Sequence, residues 1–338
     1  MIFRKIKKMK SYILIDKPQE LEDMSFIASK IKSDYEVVYP SKRCNSIREQ
    51  VLACIECVEQ TKQDDIIVCW YDFMGVICWW LCKIQRKKRN IIALNLLLKN
   101  KSTIKNKIAK YLYKKALNAE NFHATVTSKE YGYWINTVLG IESDYTLLRD
   151  VYHDNVWEVE DSVDLIPNSV FCGGRNGRDW GMFFKLAEKM PDIHFNCVLS
   201  KEEYEIHKMS FRNNVNAKYE VPEEEFMRFM CQSDMVVMPL DTEAPAGLTV
   251  LLQAAANNIL NITSDTVTTR EYFTSERGVL CGNSIDEWGE KIRYYLEHKE
   301  ERLKKGRAFK KYLENQCNEE IYEETISLLI NKIKDKNN

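Results

Sequence analysis

The sequence of 338 residues contains little glycine and proline, with 12 and 7 residues respectively. This scarcity excludes collagen-like and low-complexity chains, which depend on these two residues. Apolar residues make up 45% of the chain and charged residues 29%, which is typical of an ordinary globular protein. Because the chain is too long for one comfortable hydrophobic core, we expect two domains.

Long apolar runs are also scarce. The basic start, "MIFRKIKKMK", is followed by "SYILID", which is too short for the apolar part of a signal peptide. The one candidate for a membrane span is 66–82, but Asp72 lies near its middle and would cost about 2.5–3.5 kcal/mol in a bilayer. We therefore expect a buried strand, a turn at Asp72 and an amphipathic helix from Met74, in a cytoplasmic protein.

Metal-binding motifs are missing as well. The 11 cysteines are scattered, and no second Cys or His pair accompanies the C-x-x-C at Cys54 and Cys57 at zinc spacing. The surrounding "SIREQVLACIECVEQ" has helical spacing that puts both thiols on the apolar face, so we favour core packing in a reducing compartment over metal or redox work. No Asp-x-Asp pair stands at a strand end, and we expect neither a metal nor a cofactor.

Charge is distributed unevenly along the chain. Residues 1–150 carry 26 Lys and Arg against 17 Asp and Glu, whereas the remainder carries 23 against 33.

The most basic stretch, 83–115, has 12 basic residues and no acidic one. Its segment "TIKNKIAKYLYKKAL" places Ile104, Ile108, Tyr111 and Leu112 on one face among lysines. Such a helix suits the surface of an anionic bilayer, although a solvated helix packed on a sheet fits equally. We do not expect a nucleic-acid partner, because the aromatic residues serve the helix face.

Strand-like apolar runs alternate with segments of helical spacing along the chain. The runs are 11–16, 35–39, 65–71, 90–96, 122–128, 169–174, 193–200, 216–222, 234–240 and 258–264. Apolar strands spaced by helices predict parallel sheets with both faces covered. The predicted class is α/β, with doubly wound Rossmann-like domains at 1–155 and 165–315. A helix over 316–338 is a candidate to pack back on the first domain.

Unusual residues follow two of the predicted strands of the second half. After "SVFCGG", Gly174 lets the backbone approach a ligand, and Arg175 and Arg178 flank a turn at Asn176-Gly177. Ligands bind at the carboxyl ends of parallel strands, where helix N-termini are also exposed. The arrangement is typical of a diphosphate clamp, and the alternative is a solvated turn with surface arginines.

The second predicted ligand-binding turn at the carboxyl end of a strand lies in the stretch "EAPAGLTVLLQAAANN", 243–258. Gly247 opens a helix with Leu248 and Thr249 in its first turn, so their backbone N–H groups are candidates to hold phosphate oxygens. Gln253 lies one turn further, about 6 Å along the axis, which suits a sugar hydroxyl attached to the phosphate. The alternative is a capped core helix.

The order of these features resembles the C-terminal domain of GT-B glycosyltransferases, specifically the large retaining family that uses nucleotide sugars. The resemblance rests on the arginine-bearing glycine turn, "EVPEEEF", "MPL", the helix opened by glycine, and "QAAANNILNITS". It implies two Rossmann-like domains facing across a cleft. It also implies that Arg175 and Arg178 hold the donor diphosphate and that the backbone amides of 247–249 bind its distal phosphate. Val221 and Pro222 would then lie beside the base, and Gln253 would bind the ribose.

The sequence departs from that family at several positions. The family usually has two glutamates eight residues apart, but here Gln253 replaces the second and Pro245 the first, so Glu243 is the nearest candidate beside the transferred sugar. Asn95 stands where many members carry a histidine after the fourth strand of the first domain, so it is a candidate catalytic residue. Asp72 is a candidate to orient or deprotonate an acceptor hydroxyl, or alternatively to cap a helix.

The resemblance implies a retaining hexosyltransferase that needs no metal and moves a sugar from a nucleotide-sugar donor to a glycan acceptor. We expect a polyprenyl-linked acceptor, a role in bacterial surface polysaccharide synthesis, and peripheral contact with the inner face of the plasma membrane. The alternatives are a non-catalytic GT-B-like binding or partner protein, and an epimerase or hydrolase of nucleotide sugars. His123 lies early in its strand, where a packed core histidine is the favoured interpretation over a catalytic one.

Overall fold

The structure is a computed structural model that describes residues 9–20, 35–100, 102–153, 157–159 and 163–337. The chain divides into two compact units, one of residues 1–149 with 319–338 and one of residues 150–318. Each unit contains a six-stranded sheet in which neighbouring strands run parallel. The predicted α/β class with two doubly wound sheets is therefore confirmed. Most of the basic start and two parts of the linker, 154–156 and 160–162, lie outside the described residues.

The sheet of the first unit has the strand order β2-β1-β3-β4-β5-β6. The side chains of its inner strands are almost all buried, because helices cover both faces of a parallel sheet. The strands are β1 (Ser11–Leu14), β2 (Tyr35–Val38), β3 (Ile66–Cys69), β4 (Asn90–Ala93), β5 (Phe122–Val126) and β6 (Thr146–Leu147).

Within the described part of the first 150 residues, the helices are α1 (Ile47–Gln60), α2 (Asp72–Ile84), α3 (Ile104–Leu117) and α4 (Lys129–Leu139). Hydroxyl side chains cap three of them, and Ser46 forms a reciprocal capping box with Glu49. Helix α2 begins at Asp72 and not at Met74, and its N-cap is Tyr71. The N-cap role considered for Asp72 is thus wrong, because the chain is already helical there.

The sheet of the second unit has the order β12-β11-β10-β7-β8-β9. Its strands are β7 (Ser169–Gly173), β8 (His194–Leu199), β9 (Val215–Tyr219), β10 (Met235–Met238), β11 (Leu260–Ser264) and β12 (Val279–Cys281). The chain winds outward from β7 to β9 and then crosses to β10, so the direction of winding reverses between β7 and β10. This is the strand order of Rossmann-type folds, which bind ligands at the reversal point.

The second unit contains helices α5 (Trp180–Lys189), α6 (Lys201–His207), α7 (Glu223–Cys231), α8 (Leu248–Ala256), α9 (Thr269–Tyr272), α10 (Ile285–Glu297) and α11 (Lys299–Gln316). Its core is one continuous cluster of apolar side chains from both faces of the sheet. Helix α11 packs against α8 and β11, and at Gly306 a Cβ atom would lie only 2.5 Å from the carbonyl carbon of Asn258. The last helix, α12 (Glu319–Asn337), belongs to the first unit.

The segment considered for a membrane span consists of β3 and helix α2, as the sequence predicted. Among the described residues, no helix is both long enough and apolar enough to cross a bilayer. Cys54 and Cys57 are buried free thiols on the core side of α1. No group of three or more His, Cys, Asp or Glu residues in the described part of the chain could hold a metal ion.

Candidate active site

Two loops meet where the winding of the second sheet reverses. One is 174–179, which follows β7, and the other is 239–247, which follows β10. The backbone N–H of Asp179 donates to the carbonyl of Pro239 at 2.9 Å. Where Gly177 lies against Ala246, a Cβ atom on the glycine would be 2.6 Å from the alanine Cβ. Backbone bonding and close contact therefore hold the two loops in a fixed relation.

The guanidinium of Arg178 is fixed by its own loop. Its Nε donates to the carbonyl of Gly173 at 2.9 Å, and its Nη1 donates to the carbonyl of Asn176 at 2.6 Å. The group lies directly over Gly174, where a Cβ atom would be 2.5 Å from Cζ of Arg178, and Gly174 has a φ of 118° that favours glycine. Burial lowers the pKa of Arg178, yet an arginine remains charged at neutral pH. A positive charge is thus held over the end of β7.

Gly247 brings the start of helix α8 next to this charge. The residue is the N-cap of α8 in the left-handed conformation, with a φ of 79° and no side chain capping the helix. A Cβ atom on Gly247 would lie 2.5 Å from Sδ of Met238 and 3.5 Å from Cζ of Arg178. An uncapped helix N-terminus carries free N–H groups and a positive partial charge. The structure therefore brings Arg178 and Gly247 together at one place suited to an anion.

The first turns of α8 place the other residues predicted there. Leu248 is buried and Thr249 is exposed. Gln253 is only 5% exposed. Its carbonyl accepts from Asn257 at 2.8 Å, whereas its side-chain amide forms no hydrogen bond with any residue that the structure describes. The amide therefore keeps its full capacity to donate to and accept from a ligand.

Arg175 differs from Arg178. Its side chain is exposed, and no hydrogen bond or ion pair joins it to a residue in the described ranges. The structure thus fixes one guanidinium of the predicted pair over the strand end and leaves the other in solvent.

Val221 and Pro222 follow β9 at the same carboxyl edge of the sheet. Val221 is half-buried against the core, and Pro222 is the exposed N-cap of α7. Phe226, which the sequence did not single out, lies one turn later with its ring against Gly173, where a Cβ atom would be 2.6 Å from the ring. The signal available in the sequence was an aromatic residue one helical turn after Pro222, where a strand was predicted to end.

Glu243 ties the loops after β10 and β11 together. Its Oε2 accepts from the backbone N–H of Val267 at 2.8 Å, and its carbonyl accepts from the hydroxyl of Thr268 at 2.7 Å. Its carboxylate is thus engaged by the protein itself, and the residue anchors the loop that leads to Gly247.

Asn95 and Asp72 lie in the first unit. Asn95 adopts a left-handed conformation with a φ of 45°. Its backbone N–H donates to Thr125 Oγ1 at 2.7 Å, and the hydroxyl of Thr125 donates in turn to Asn95 Oδ1 at 3.0 Å. Asparagine tolerates this conformation better than most residues. Asn95 therefore fixes the turn after β4.

Asp72 is almost fully buried, and three donors serve its carboxylate. They are the backbone N–H of Phe73 at 2.8 Å, the backbone N–H of Leu97 at 2.7 Å and the hydroxyl of Tyr113 at 2.6 Å. Burial raises the pKa of Asp72, and these hydrogen bonds oppose the increase. The carboxylate joins the start of α2 to the segment after β4 and to α3.

Comparisons with known proteins agree with the fold. Residues 178–321 match the family model described as "Glycosyl transferase-like". The structure of sucrose-phosphate synthase from Thermosynechococcus elongatus superposes with a TM-score of 0.71 and 11% identity, over 97% of this chain and 100% of that chain. HepE from Anabaena, solved with UDP and glucose, gives a TM-score of 0.69 and 11% identity, over 95% and 99%.

WaaG, a glycosyltransferase involved in lipopolysaccharide biosynthesis, gives a TM-score of 0.64 at 12% identity, over 95% of this chain and 99% of that chain. No curated protein matches the sequence significantly. The resemblance to GT-B glycosyltransferases that the sequence motifs indicated is thus confirmed at the level of the fold.

Proposed function

We propose that this protein is a glycosyltransferase that takes a sugar from a nucleotide-sugar donor held by its second unit. The observation that supports this most directly is the guanidinium of Arg178 beside the uncapped start of α8, at the reversal point of a Rossmann-type sheet. The family match over 178–321 covers the same residues. The solved relatives include HepE in complex with UDP-glucose.

The leaving group of such a reaction is a nucleoside diphosphate, which develops negative charge as the glycosidic bond breaks. Arginine has five N–H donors, and the loop carbonyls of residues 173 and 176 use only two of those of Arg178. The remaining donors and the free N–H groups of α8 are a fixed set that can stabilise this charge without a metal. We therefore propose a metal-independent reaction, with retention of configuration as the family resemblance implies.

The rest of the donor would extend from this phosphate position along the carboxyl edge of the sheet. Gln253 lies one helical turn beyond Thr249, and its unpaired amide suits a ribose hydroxyl. Val221 and Pro222 are candidates to contact the base. The side chain of Arg175 extends into solvent, so it would have to change conformation to contact a bound phosphate. Because the carboxylates of Glu243 and Asp72 are already bonded, we propose a positioning role for each within its own unit. Glu243 would position the loop that leads to Gly247, and Asp72, with Asn95, would position the segment after β4.

Nucleotide sugars should therefore raise the melting temperature of the protein. A ligand that binds only the native state stabilises that state by about 2.7 kcal/mol when its concentration is 100 times its dissociation constant. We expect UDP-glucose to produce such a shift and the free sugar to produce none, and we expect donor consumption to require an acceptor. No shift with any uridine or guanosine donor would favour a non-catalytic binding protein, and consumption without an acceptor would indicate a hydrolase or epimerase.

The acceptor side of the proposal concerns helix α3. The apolar residues of this helix lie on two faces. Tyr113, Ala116 and Leu117 are buried against the rest of the unit. Ile104, Ile108 and Tyr111 lie on the other face, where 78%, 56% and 55% of their surface is exposed. Lysines flank the exposed residues, and the ring of Tyr111 stacks on Trp80 at 6.5 Å. We propose that this face rests on an anionic bilayer, where each basic residue contributes about 1 kcal/mol.

A bilayer-bound enzyme would act on a polyprenyl-linked glycan at the inner face of the plasma membrane, as in bacterial surface polysaccharide synthesis. The protein should sediment with phosphatidylglycerol vesicles and not with phosphatidylcholine vesicles. The double variant Ile104→Ser/Ile108→Ser should bind at least about tenfold more weakly, since each buried isoleucine contributes about 1.5–3 kcal/mol. The matched control is Leu328→Ser, which changes an equally exposed residue of α12. Equal binding to both kinds of vesicle, or no effect of the double variant, would contradict membrane docking.

A further inference from the structure

The first unit contains a cavity of about 520 Å³ at the amino ends of β5 and β6. Its walls are the segment that leads into β5, the turn before β6, and the last turns of helix α12. The carboxyl ends of the same strands, and with them Asp72 and Asn95, are at the opposite edge of the sheet. The volume is within the range of small-molecule binding sites. Nothing in the proposed transfer reaction uses this cavity.

Three basic side chains line the cavity: His123 from β5, and Lys332 and Lys336 from α12. The two lysines lie one helical turn apart, so they share one face of the helix. In the described ranges, neither lysine forms an ion pair or hydrogen bond with another residue. Burial of His123, and then the charges of Lys336 and Lys332, lower the pKa of its imidazole. His123 is half-buried, and its side chain lines this cavity.

Acidic side chains line the same cavity, namely Glu120, Glu142 and Asp144. Lys336 and Lys332 are the charged neighbours that lower the pKa of His123. The cavity thus has a positive part around the imidazole together with carboxylates that can accept hydrogen bonds from hydroxyl groups.

We propose that this cavity binds a small phosphate-bearing molecule, with its phosphate against His123, Lys332 and Lys336 and its hydroxyl groups against the carboxylates. Lysine ammonium groups and an imidazole bind phosphate oxygens through charge-assisted hydrogen bonds. The cavity has room for considerably more than one phosphate ion, which favours a phosphorylated sugar or polyol. Because the ligand would contact both the sheet and α12, its binding would stabilise the attachment of that helix.

The proposal carries a definite pH dependence. A bound anion favours the protonated imidazole, so binding takes up a proton wherever free His123 is neutral. Affinity is then strongest at low pH and falls by up to about tenfold per pH unit as the pH rises above the pKa of free His123. The relevant range is near neutral pH. Sulfate is a suitable probe because it does not titrate there.

The test uses the full chain carrying Arg178→Gln, so that anion binding at the candidate active site does not contribute. Calorimetric titration with glucose 6-phosphate should show binding, and glucose should bind at least about tenfold more weakly because it lacks the charged group. The further double substitution Lys332→Gln/Lys336→Gln should weaken glucose 6-phosphate by at least about tenfold. Lys311→Gln, which changes an exposed lysine of α11, serves as the matched control and should change nothing.

Sulfate titrations at several pH values test the role of the imidazole. His123→Asn should abolish the pH dependence between pH 5.5 and 8 while the melting temperature confirms a folded protein. The proposal is overturned by an absence of binding in the Arg178→Gln protein, by equal binding of glucose and glucose 6-phosphate, or by unchanged affinity in the double lysine variant. Since the donor site is disabled throughout, these outcomes are independent of whether the protein transfers sugars.

Discussion

Replacement of Arg178 by glutamine is expected to lower kcat/KM for the nucleotide-sugar donor by roughly 100- to 1000-fold, or about 2.7–4 kcal/mol of transition-state stabilisation. The guanidinium lies at the start of α8, and some of its N–H groups have no partner in the part of the chain that the structure describes. Glutamine can replace one of the loop hydrogen bonds but carries no charge. The measurement is donor turnover with a membrane-lipid acceptor extract, together with donor affinity.

The matched control for this variant is Arg293→Gln. Arg293 pairs with Asp192 at 2.7 Å on the exposed surface of the second unit, far along the chain from the loops of the site. Exposed pairs contribute about 0–1 kcal/mol, so neither turnover nor folding should change appreciably. Arg178→Gln itself is expected to lower the free energy of unfolding by about 1–3 kcal/mol through its lost loop bonds. A folded Arg178→Gln protein with normal turnover would remove the basis of the diphosphate clamp.

Gly174→Ala is expected to reduce donor turnover at least about 100-fold although the residue carries no functional group. Its φ of 118° is strained for alanine, at about 1–3 kcal/mol. The new Cβ atom would also lie 2.5 Å from Cζ of Arg178, which forces the guanidinium away from the strand end. A displacement of about 1 Å at a catalytic group can lower the rate about 100-fold. Turnover and the melting temperature should therefore both fall.

Gly289→Ala is the control for this second variant. Gly289 lies within helix α10, and an added Cβ atom would only reach van der Waals contact with Sδ of Met190 at 3.9 Å. Alanine is favoured over glycine inside a helix, so stability should be unchanged or higher by up to about 1 kcal/mol. Turnover should not change.

The double variant Gly174→Ala/Arg178→Gln distinguishes a shared mechanism from two separate ones. If Gly174→Ala acts by moving Arg178, the double variant should be no slower than Arg178→Gln alone, because residues in contact give non-additive effects. Rates that fall by the product of the two single effects would show that Gly174 matters for another reason. Melting temperatures of all three proteins separate loss of folding from loss of function.

Much of the fold could be predicted from local pattern. The ten apolar runs all became strands, and each end lies within a few residues of its predicted position. In the inner strands, burial on both faces selects apolar residues regardless of which strands are neighbours. Two strands were missed, β6 and β12, which have only two and three residues and so show no periodicity. The start of α2 was misplaced by two residues, since Tyr71 caps it without any side-chain signal.

The candidate site was less predictable. Both arginines of "GGRNGR" looked alike in the sequence, yet only Arg178 is held over β7, because the carbonyls of residues 173 and 176 face it. Glu243 was a candidate beside the transferred sugar, and Asp72 was a candidate either to act on the acceptor or to cap a helix. The structure instead engages both carboxylates with partners 24 and 25 or more residues away, apart from Phe73. Phe226 was overlooked because its contact with Gly173 joins segments that are far apart in the chain.

The sequence by itself determined the class of fold, the positions of the strands, and the two glycine-bearing turns, because hydrophobic periodicity and backbone freedom are properties of neighbouring residues. Only the tertiary structure decided that the turns after β7 and β10 adjoin, which follows from the reversal of strand order between them. It likewise decided which polar side chains remain available to a ligand, because a hydrogen bond to a distant segment leaves no trace in local sequence.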